Sequence, residues 1–243
     1  MTLLQIELTT RCNRQCVMCN RQHNIYDMTP SIAKSICNTI PTIEYIHIAG
    51  GGEPFLHPHI DEILNIFSRH NIPISIVTNG SIPYAEWNRF FEIIMSVHDT
   101  DPIRYRQITG GDITEVIPNI PHASLVYNVI TSINGPYIDQ IEESERMYGA
   151  AHVFSVPVKE WFITGPYVNI SQYMYPTHKC IPFKSEYPSD AHYIFISATG
   201  GVVPWCSKLD PNKYICGDIT KDTITDILSN ISTCKFRYAH DNS

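Results

Sequence analysis

An α/β fold with a parallel sheet of about six strands is predicted for this chain by three observations. Short apolar runs alternate with helical patterns over the first two thirds of its 243 residues. The connections between them are compact, as repeated βα units require. Polar and glycine-rich turns fall at the carboxyl ends of the first runs, which is where parallel α/β sheets and barrels bind their ligands.

Taken in order, strand-like runs occupy residues 3–8, 44–49, 74–78, 93–97, 125–130 and 152–156. Helical patterns lie between them near 30–40, 59–69, 83–91 and 136–148. Thr29 can cap the first of these, and Pro30 opens it with its φ already helical. Residues 161–187 are rich in Tyr, Pro and Gly with little periodicity, so they are expected to form a long connection or a substrate-facing cover. Two more strands, 193–197 and 201–204, are joined by the turn Ala198-Thr199-Gly200, and a last helix is expected at 223–229. The predicted organisation is a core domain over 1–160, then a linker and a small α+β C-terminal domain over 161–243.

Bulk properties narrow the class. A hydrophobic content of 43% is enough for a large core, yet no apolar run is long enough to span a bilayer. The N-terminus lacks the basic-then-apolar layout of a secretory signal, so a cytoplasmic protein without membrane contact is expected. The net charge is −7 and no block of Lys or Arg occurs, which excludes a non-specific grip on nucleic acid. A nucleoside substrate stays open. Eight cysteines without a signal peptide point to metal or redox chemistry in a reducing compartment.

Cys12, Cys16 and Cys19 carry the strongest signal, spaced C-x3-C-x2-C directly after the first strand. Three thiolates in one loop can hold three irons of a cubane [4Fe–4S] cluster and leave the fourth open to a ligand that is not protein. A structural zinc site more often pairs two C-x2-C knuckles, and the next cysteine here, Cys37, falls inside a helical pattern as an expected core thiol. Gly50-Gly51-Gly52-Glu53-Pro54 ends the second strand: its glycines admit close backbone approach, and Glu53 can accept from an ammonium group. Thr78-Asn79-Gly80 ends the third.

On these residues the chain resembles the radical S-adenosylmethionine (SAM) superfamily. Cys12, Cys16 and Cys19 match its cysteine signature, Gly51-Gly52-Glu53 its glycine-glycine-glutamate motif, and Thr78-Asn79-Gly80 its third-strand ending. The resemblance covers residues 1 to about 155 and implies a partial (β/α)6 TIM-like barrel. It further implies that Cys12, Cys16 and Cys19 ligate a [4Fe–4S] cluster whose open iron is chelated by SAM. Gly51, Gly52 and Glu53 would grip the methionine moiety, with Thr78 and Asn79 beside them. Ser96 and His98 end the fourth strand, where the family often places ribose contacts, and Asn128 on the fifth is a further cofactor candidate. Met18 departs from the aromatic residue usual before the last cysteine, at a position that meets adenine mainly through backbone. Reductive cleavage of SAM would give a 5′-deoxyadenosyl radical that takes hydrogen from a substrate, with flavodoxin or ferredoxin as the kind of electron donor.

The C-terminal cysteines leave two outcomes open. Gly201-Val202-Val203-Pro204-Trp205-Cys206 resembles the G-x4-C element of SPASM/Twitch domains, Cys180 stands where their first cysteine lies, and Gly217-Asp218-Ile219 resembles their turn before a helix. Their closing C-x2-C pair is absent. Either Cys180, Cys206, Cys216 and Cys234 supply a second, auxiliary iron–sulfur cluster, or the domain is metal-free and Cys216 or Cys206 donates a hydrogen atom. The expected function is dehydrogenation or epimerisation of a small molecule: a sugar, aminocyclitol, nucleoside or related metabolite. The eleven residues before Cys12 argue against a leader-peptide-binding domain. Modification of a ribosomally made peptide and a non-catalytic iron–sulfur binding protein are the alternatives.

Overall fold

A computed structural model of the chain describes residues 2–19, 24–40, 42–157, 192–203 and 215–233. The expected cover at 161–187 and the cysteines Cys180, Cys206 and Cys234 lie outside the described residues. The strands are β1 (Thr2–Ile6), β2 (Tyr45–Ile48), β3 (Ile74–Thr78), β4 (Glu92–Ser96), β5 (Leu125–Ile130), β6 (Val153–Pro157), β7 (His192–Ile196), β8 (Gly201–Val203) and β9 (Gly217–Asp218). The α-helices are α1 (Pro30–Thr39), α2 (Ile60–Ser68), α3 (Pro102–Thr109), α4 (Ile138–Met147) and α5 (Ile224–Thr233).

Two compact units divide the chain. One comprises Met1–Arg11, Gln22–Ile74 and Pro188–Ser243. Within it β1 pairs in parallel with both β2 and β7, so Gln5 lies opposite His47 on one side and Phe195 on the other. β8 and β9 continue from β7 in antiparallel pairing. Thr29 caps α1 as its side chain accepts from the Ile32 amide, and Pro30 takes the first helical position. On α2 the apolar residues Ile60, Ile63, Leu64 and Phe67 recur at helical spacing, and all four are buried. Leu4, Ile6, Ile46 and Ile48 of β1 and β2 are fully buried as well. Each such side chain stabilises the unit by about 1.5–3 kcal/mol.

The second unit comprises Cys12–Arg21 and Ser75–Tyr187. Its strands β3 to β6 pair in sequence order, all parallel. Ile76, Met95, Tyr105, Ile108, Val126 and Ile141 are among its fully buried residues.

Two helix expectations change. Residues 83–91 hold no α-helix but a single 3-10 turn, Trp87–Arg89. The apolar residues there, Tyr84, Trp87 and Phe90, are three apart, and Tyr84 meets both other rings at 5.9 Å. A strict spacing of three fits three residues per turn, and the contact needs no longer helix. Conversely, α3 was not expected. Its start is written in Asp101-Pro102: the Asp101 carboxylate accepts from the Ile103 and Arg104 amides, and Pro102 takes the first helical position. Gly110, at φ 73°, stops it. The helix carries two arginines and an exposed Ile103, so its apolar periodicity is weak.

Candidate functional site

The cysteine loop is held from behind by α3. The amides of Gln15 and Val17 donate to the carbonyls of Thr109 and Ile108, each at 2.8 Å. Met18 and Ile108 are buried together, with Cys16, Val17, Val129 and Ile133 packed around them. Arg14 is buried between the first two cysteines and pairs with Glu115. These contacts anchor the loop that carries Cys12, Cys16 and Cys19, and none of the three is in a disulfide. Burial, and next the neighbouring Cys19 and Cys12 thiols, push Cys16 up to about 12. A thiol so disfavoured as a lone anion becomes a thiolate when metal displaces its proton.

Third-strand residues reach the same loop. Asn79 Nδ2 donates to Asn13 Oδ1 at 2.9 Å and points at the Cys12 sulfur at 3.9 Å, while the Arg14 amide lies 3.4 Å from that sulfur. Asn79 Oδ1 accepts from the Ser81 amide and hydroxyl, which fixes the side chain. The Thr78 hydroxyl accepts from the Gly80 amide within the turn. Asn79, expected near SAM, is thus placed by the structure as an N–H donor to the cysteine loop.

The glycine turn after β2 belongs to the other unit and is shaped by β1. Glu7, 8% exposed, accepts the Gly51 amide at 2.8 Å and, more weakly, the Ala198 amide at 3.5 Å. A Cβ on Gly50 would overlap the Glu7 side chain, and one on Gly52 would overlap the backbone oxygens of Thr9 and Arg11. The Glu53 amide donates to the Arg11 carbonyl at 2.6 Å, one residue before Cys12. The Glu53 side chain is 1% exposed and caps the following 3-10 turn by accepting from the Phe55 amide. The turn is therefore packed tightly against the chain at Thr9 and Arg11, with the Glu53 carboxylate buried.

At the ends of β4 and β5, Ser96 is half-buried, while His98 and Asn128 are buried. Asn128 has no exposed surface: its oxygen accepts the His98 amide at 2.7 Å and its nitrogen donates to Glu145 Oε2 at 2.7 Å. Both ends of that amide are thus bonded within the protein, next to His98. Burial holds the His98 ring neutral, at about 4. Cys216, just before β9, is half-buried and not in a disulfide.

Sequence reasoning missed Glu7, Arg14 and Glu145. Glu7 was findable, since Gln5 on β1 and Glu7 just after it alternate with apolar neighbours. Glu145 was not: in the run Glu142-Glu143-Ser144-Glu145-Arg146 it reads as solvated helix surface.

Burial pushes Glu145 up to about 8, with Glu142 and Asp99 acting in the same direction and the Asn128 hydrogen bond opposing. The folded chain keeps a proton that the unfolded chain releases above an ordinary carboxylate pKa. Stability from this group is therefore full in acid and is lost as pH rises toward 8, on the order of 3 kcal/mol by neutrality. Glu145→Gln, neutral at every pH, is expected to flatten the fall in Tm between about pH 5 and pH 8. Equal slopes for the two proteins would show that Glu145 ionises freely in the fold.

A family model described as the radical SAM superfamily matches residues 6–148, more than half of the chain. The chain belongs to the radical SAM superfamily. A probable GTP 3′,8-cyclase of Methanocaldococcus jannaschii is 33% identical over 193 residues, 69% of this chain and 63% of that protein. A protein of the same name from Pyrococcus horikoshii is 28% identical over 162 residues, 61% of this chain and 52% of its own length. The chain thus spans less than two thirds of these curated relatives. Among solved structures, native anSMEcpe with bound AdoMet (SAM) superposes with a TM-score of 0.71 at 15% identity, covering 94% of this chain and 81% of that one. That likeness establishes the fold, the radical SAM partial barrel with its mostly parallel sheet.

Membership of the radical SAM superfamily implies a [4Fe–4S] cluster and SAM. The donor set fits: three thiols outside any disulfide share one anchored loop, and two N–H groups are aimed at the Cys12 sulfur. Among the described residues no three His, Cys, Asp or Glu side chains close around a single ion. Thiolates on separate corners of a cubane stand further apart than the ligands of one ion. Among the described residues, too, no helix is long and apolar enough to cross a membrane.

Proposed function

We propose that this chain is a radical SAM enzyme acting on a small molecule of the nucleoside or nucleotide class. The cysteine loop carries this reading. Cys12, Cys16 and Cys19 hold the cluster, and the N–H groups of Asn79 and Arg14 offset negative charge at the Cys12 sulfur. When bound, cluster and SAM supply a 5′-deoxyadenosyl radical able to take hydrogen from an unactivated C–H bond. Glu7 holds the glycine turn so that backbone of Gly51 and Gly52 meets the methionine end of SAM, with Glu53 keeping the turn folded. Ser96 and His98 supply polar contacts at the end of β4. Buried Met18 and Ile108, with half-buried Val17 against them, keep water from the inner side of the cysteine loop.

Of the four substrate classes expected, the printed names of the curated relatives favour the nucleoside. They also favour a ring-forming rearrangement over the expected dehydrogenation or epimerisation. The electron donor is of the flavodoxin or ferredoxin kind. The C-terminal cysteines retain both roles considered for them: about eight irons per reconstituted chain would support an auxiliary cluster, and about four would favour Cys216 or Cys206 as a hydrogen donor.

The test is an anaerobic incubation of reconstituted protein with SAM, dithionite and GTP deuterated on the ribose. Deuterium recovered in 5′-deoxyadenosine is the expected result. Formation of 5′-deoxyadenosine that is neither raised by GTP nor labelled would overturn the nucleotide substrate and leave the radical chemistry standing.

A further inference from the structure

His98 is held in an uncommon state. Its φ is 73°, in the left-handed region, where few non-glycine residues sit and which persists only when the surroundings over-determine it. Three hydrogen bonds do so. The Asn128 side-chain oxygen accepts the His98 amide at 2.7 Å, Asn134 Nδ2 donates to the His98 carbonyl at 2.6 Å, and the ring Nδ1 accepts the Val129 amide at 3.0 Å. With Nδ1 an acceptor, the hydrogen of a neutral ring sits on Nε2. Among the described residues none takes up that Nε2.

Behind Asn128 stands Glu145 of α4, with 0% exposure. Its Oε2 accepts from Asn128 Nδ2, and its Oε1 is buried without a partner. A buried carboxyl with an orphaned oxygen is a poor packing residue, since leucine or methionine would fill the same space without that cost. What the carboxyl adds is orientation. By taking the Asn128 nitrogen it turns the Asn128 oxygen toward the His98 amide. The Ser155 hydroxyl lies 3.4 Å from the same nitrogen and itself donates to Glu142, so it cannot replace Glu145 as the short acceptor.

We propose that Glu145 and Asn128 are positioning residues that hold His98 with its Nε2 hydrogen directed to an oxygen of bound SAM. The inference rests on the radical SAM reading of the site and adds to it a chain of three side chains leading from helix α4. The pull is asymmetric: neither Glu145 nor Asn128 touches ligand, and both act through the histidine backbone.

The test combines SAM affinity of the anaerobic, cluster-loaded enzyme with ¹⁵N-imidazole NMR of the cluster-free protein. His98→Ala and Glu145→Met are each expected to weaken SAM roughly tenfold, the scale of one hydrogen bond to a ligand. The double variant should lose no more than either single one, because both remove the same contact. Glu145→Gln keeps an acceptor for Asn128 and should restore most of the affinity. Asn128→Asp keeps the oxygen facing His98 but not the donor to Glu145, and should weaken SAM in the same direction, which covers the case that Glu145→Met does not fold. In the NMR spectrum the His98 resonances should report an Nε2–H tautomer that survives in Glu145→Gln and is lost in Asn128→Asp. A Tm loss in these variants with SAM affinity and the His98 spectrum unchanged would overturn the proposal. If the wild type does not bind SAM, the reading of the site fails instead, and the NMR arm alone decides whether Glu145 and Asn128 position the histidine.

Discussion

Replacing any one of Cys12, Cys16 or Cys19 by alanine is expected to abolish SAM cleavage. Three thiolates are the minimum that anchors a cubane while leaving one iron open, so a site with two cannot both hold the cluster and present it. Among the described residues of the loop, Asn13 is bonded to Asn79 and Ser81, and Gln15 and Val17 are tied by their amides to α3. The loop itself should survive each change, because its anchors are backbone bonds and the buried Met18 and Arg14 rather than the thiols. The measurement is 5′-deoxyadenosine formed under dithionite, with iron content and Tm taken on the same samples. Unchanged Tm with iron and product lost is the expected pattern. Product retained in any of the three variants would sink the ligand assignment.

The second large effect is expected at Gly52. An added methyl would overlap the carbonyl oxygens of Thr9 and Arg11, and both are backbone atoms. Neither is free to move. Thr9 is buried with its hydroxyl on Asp27, and the Arg11 carbonyl accepts the short bond from the Glu53 amide. Gly52→Ala should therefore push the turn away from β1 at a cost of about 1–3 kcal/mol, the usual range for overpacking. With the turn meeting SAM through its backbone, as proposed, much of that displacement should appear as lost affinity, roughly 10- to 100-fold. Glu53→Ala gives the contrast: it removes a capping acceptor from the Phe55 amide and should lower Tm, with a smaller effect on SAM. Anaerobic SAM titration with parallel melting curves separates the two variants. Gly52→Ala with wild-type affinity and Tm would show that the turn has room the structure denies.

Much of this site was legible in the sequence because its chemistry is local. Cys12, Cys16 and Cys19 lie within eight positions, and no tertiary contact is needed to bring three thiols to one loop. The glycine turn and Thr78-Asn79-Gly80 were readable for a related reason, since each ends a strand whose apolar run announces it. Partner choice was less accessible. Glu53 accepts from the Phe55 amide of its own turn, and Asn128 bonds the His98 amide and Glu145, partners that the sequence did not name. Both are polar, and residue type does not say which way a side chain turns.

Helices divided along the same line. α1 and α2 carry an apolar stripe strong enough to be read, and their caps only sharpen the ends. α3 is specified mainly by its ends, Asp101-Pro102 and Gly110, so a search for periodicity passes over it. At 83–91 the apolar spacing was real but led to ring contacts in a 3-10 turn.

The sequence by itself determined the α/β class, the radical SAM family and the three thiols, because strand alternation and ligand spacing are properties of neighbouring residues. Only the tertiary structure decided that Glu7 shapes the glycine turn, 44 positions away, and that Glu145 reaches His98 through Asn128. Those contacts depend on which strands pair and which face of a helix is buried. A carboxylate on a helix looks the same in sequence whether it meets water or the back of a binding site.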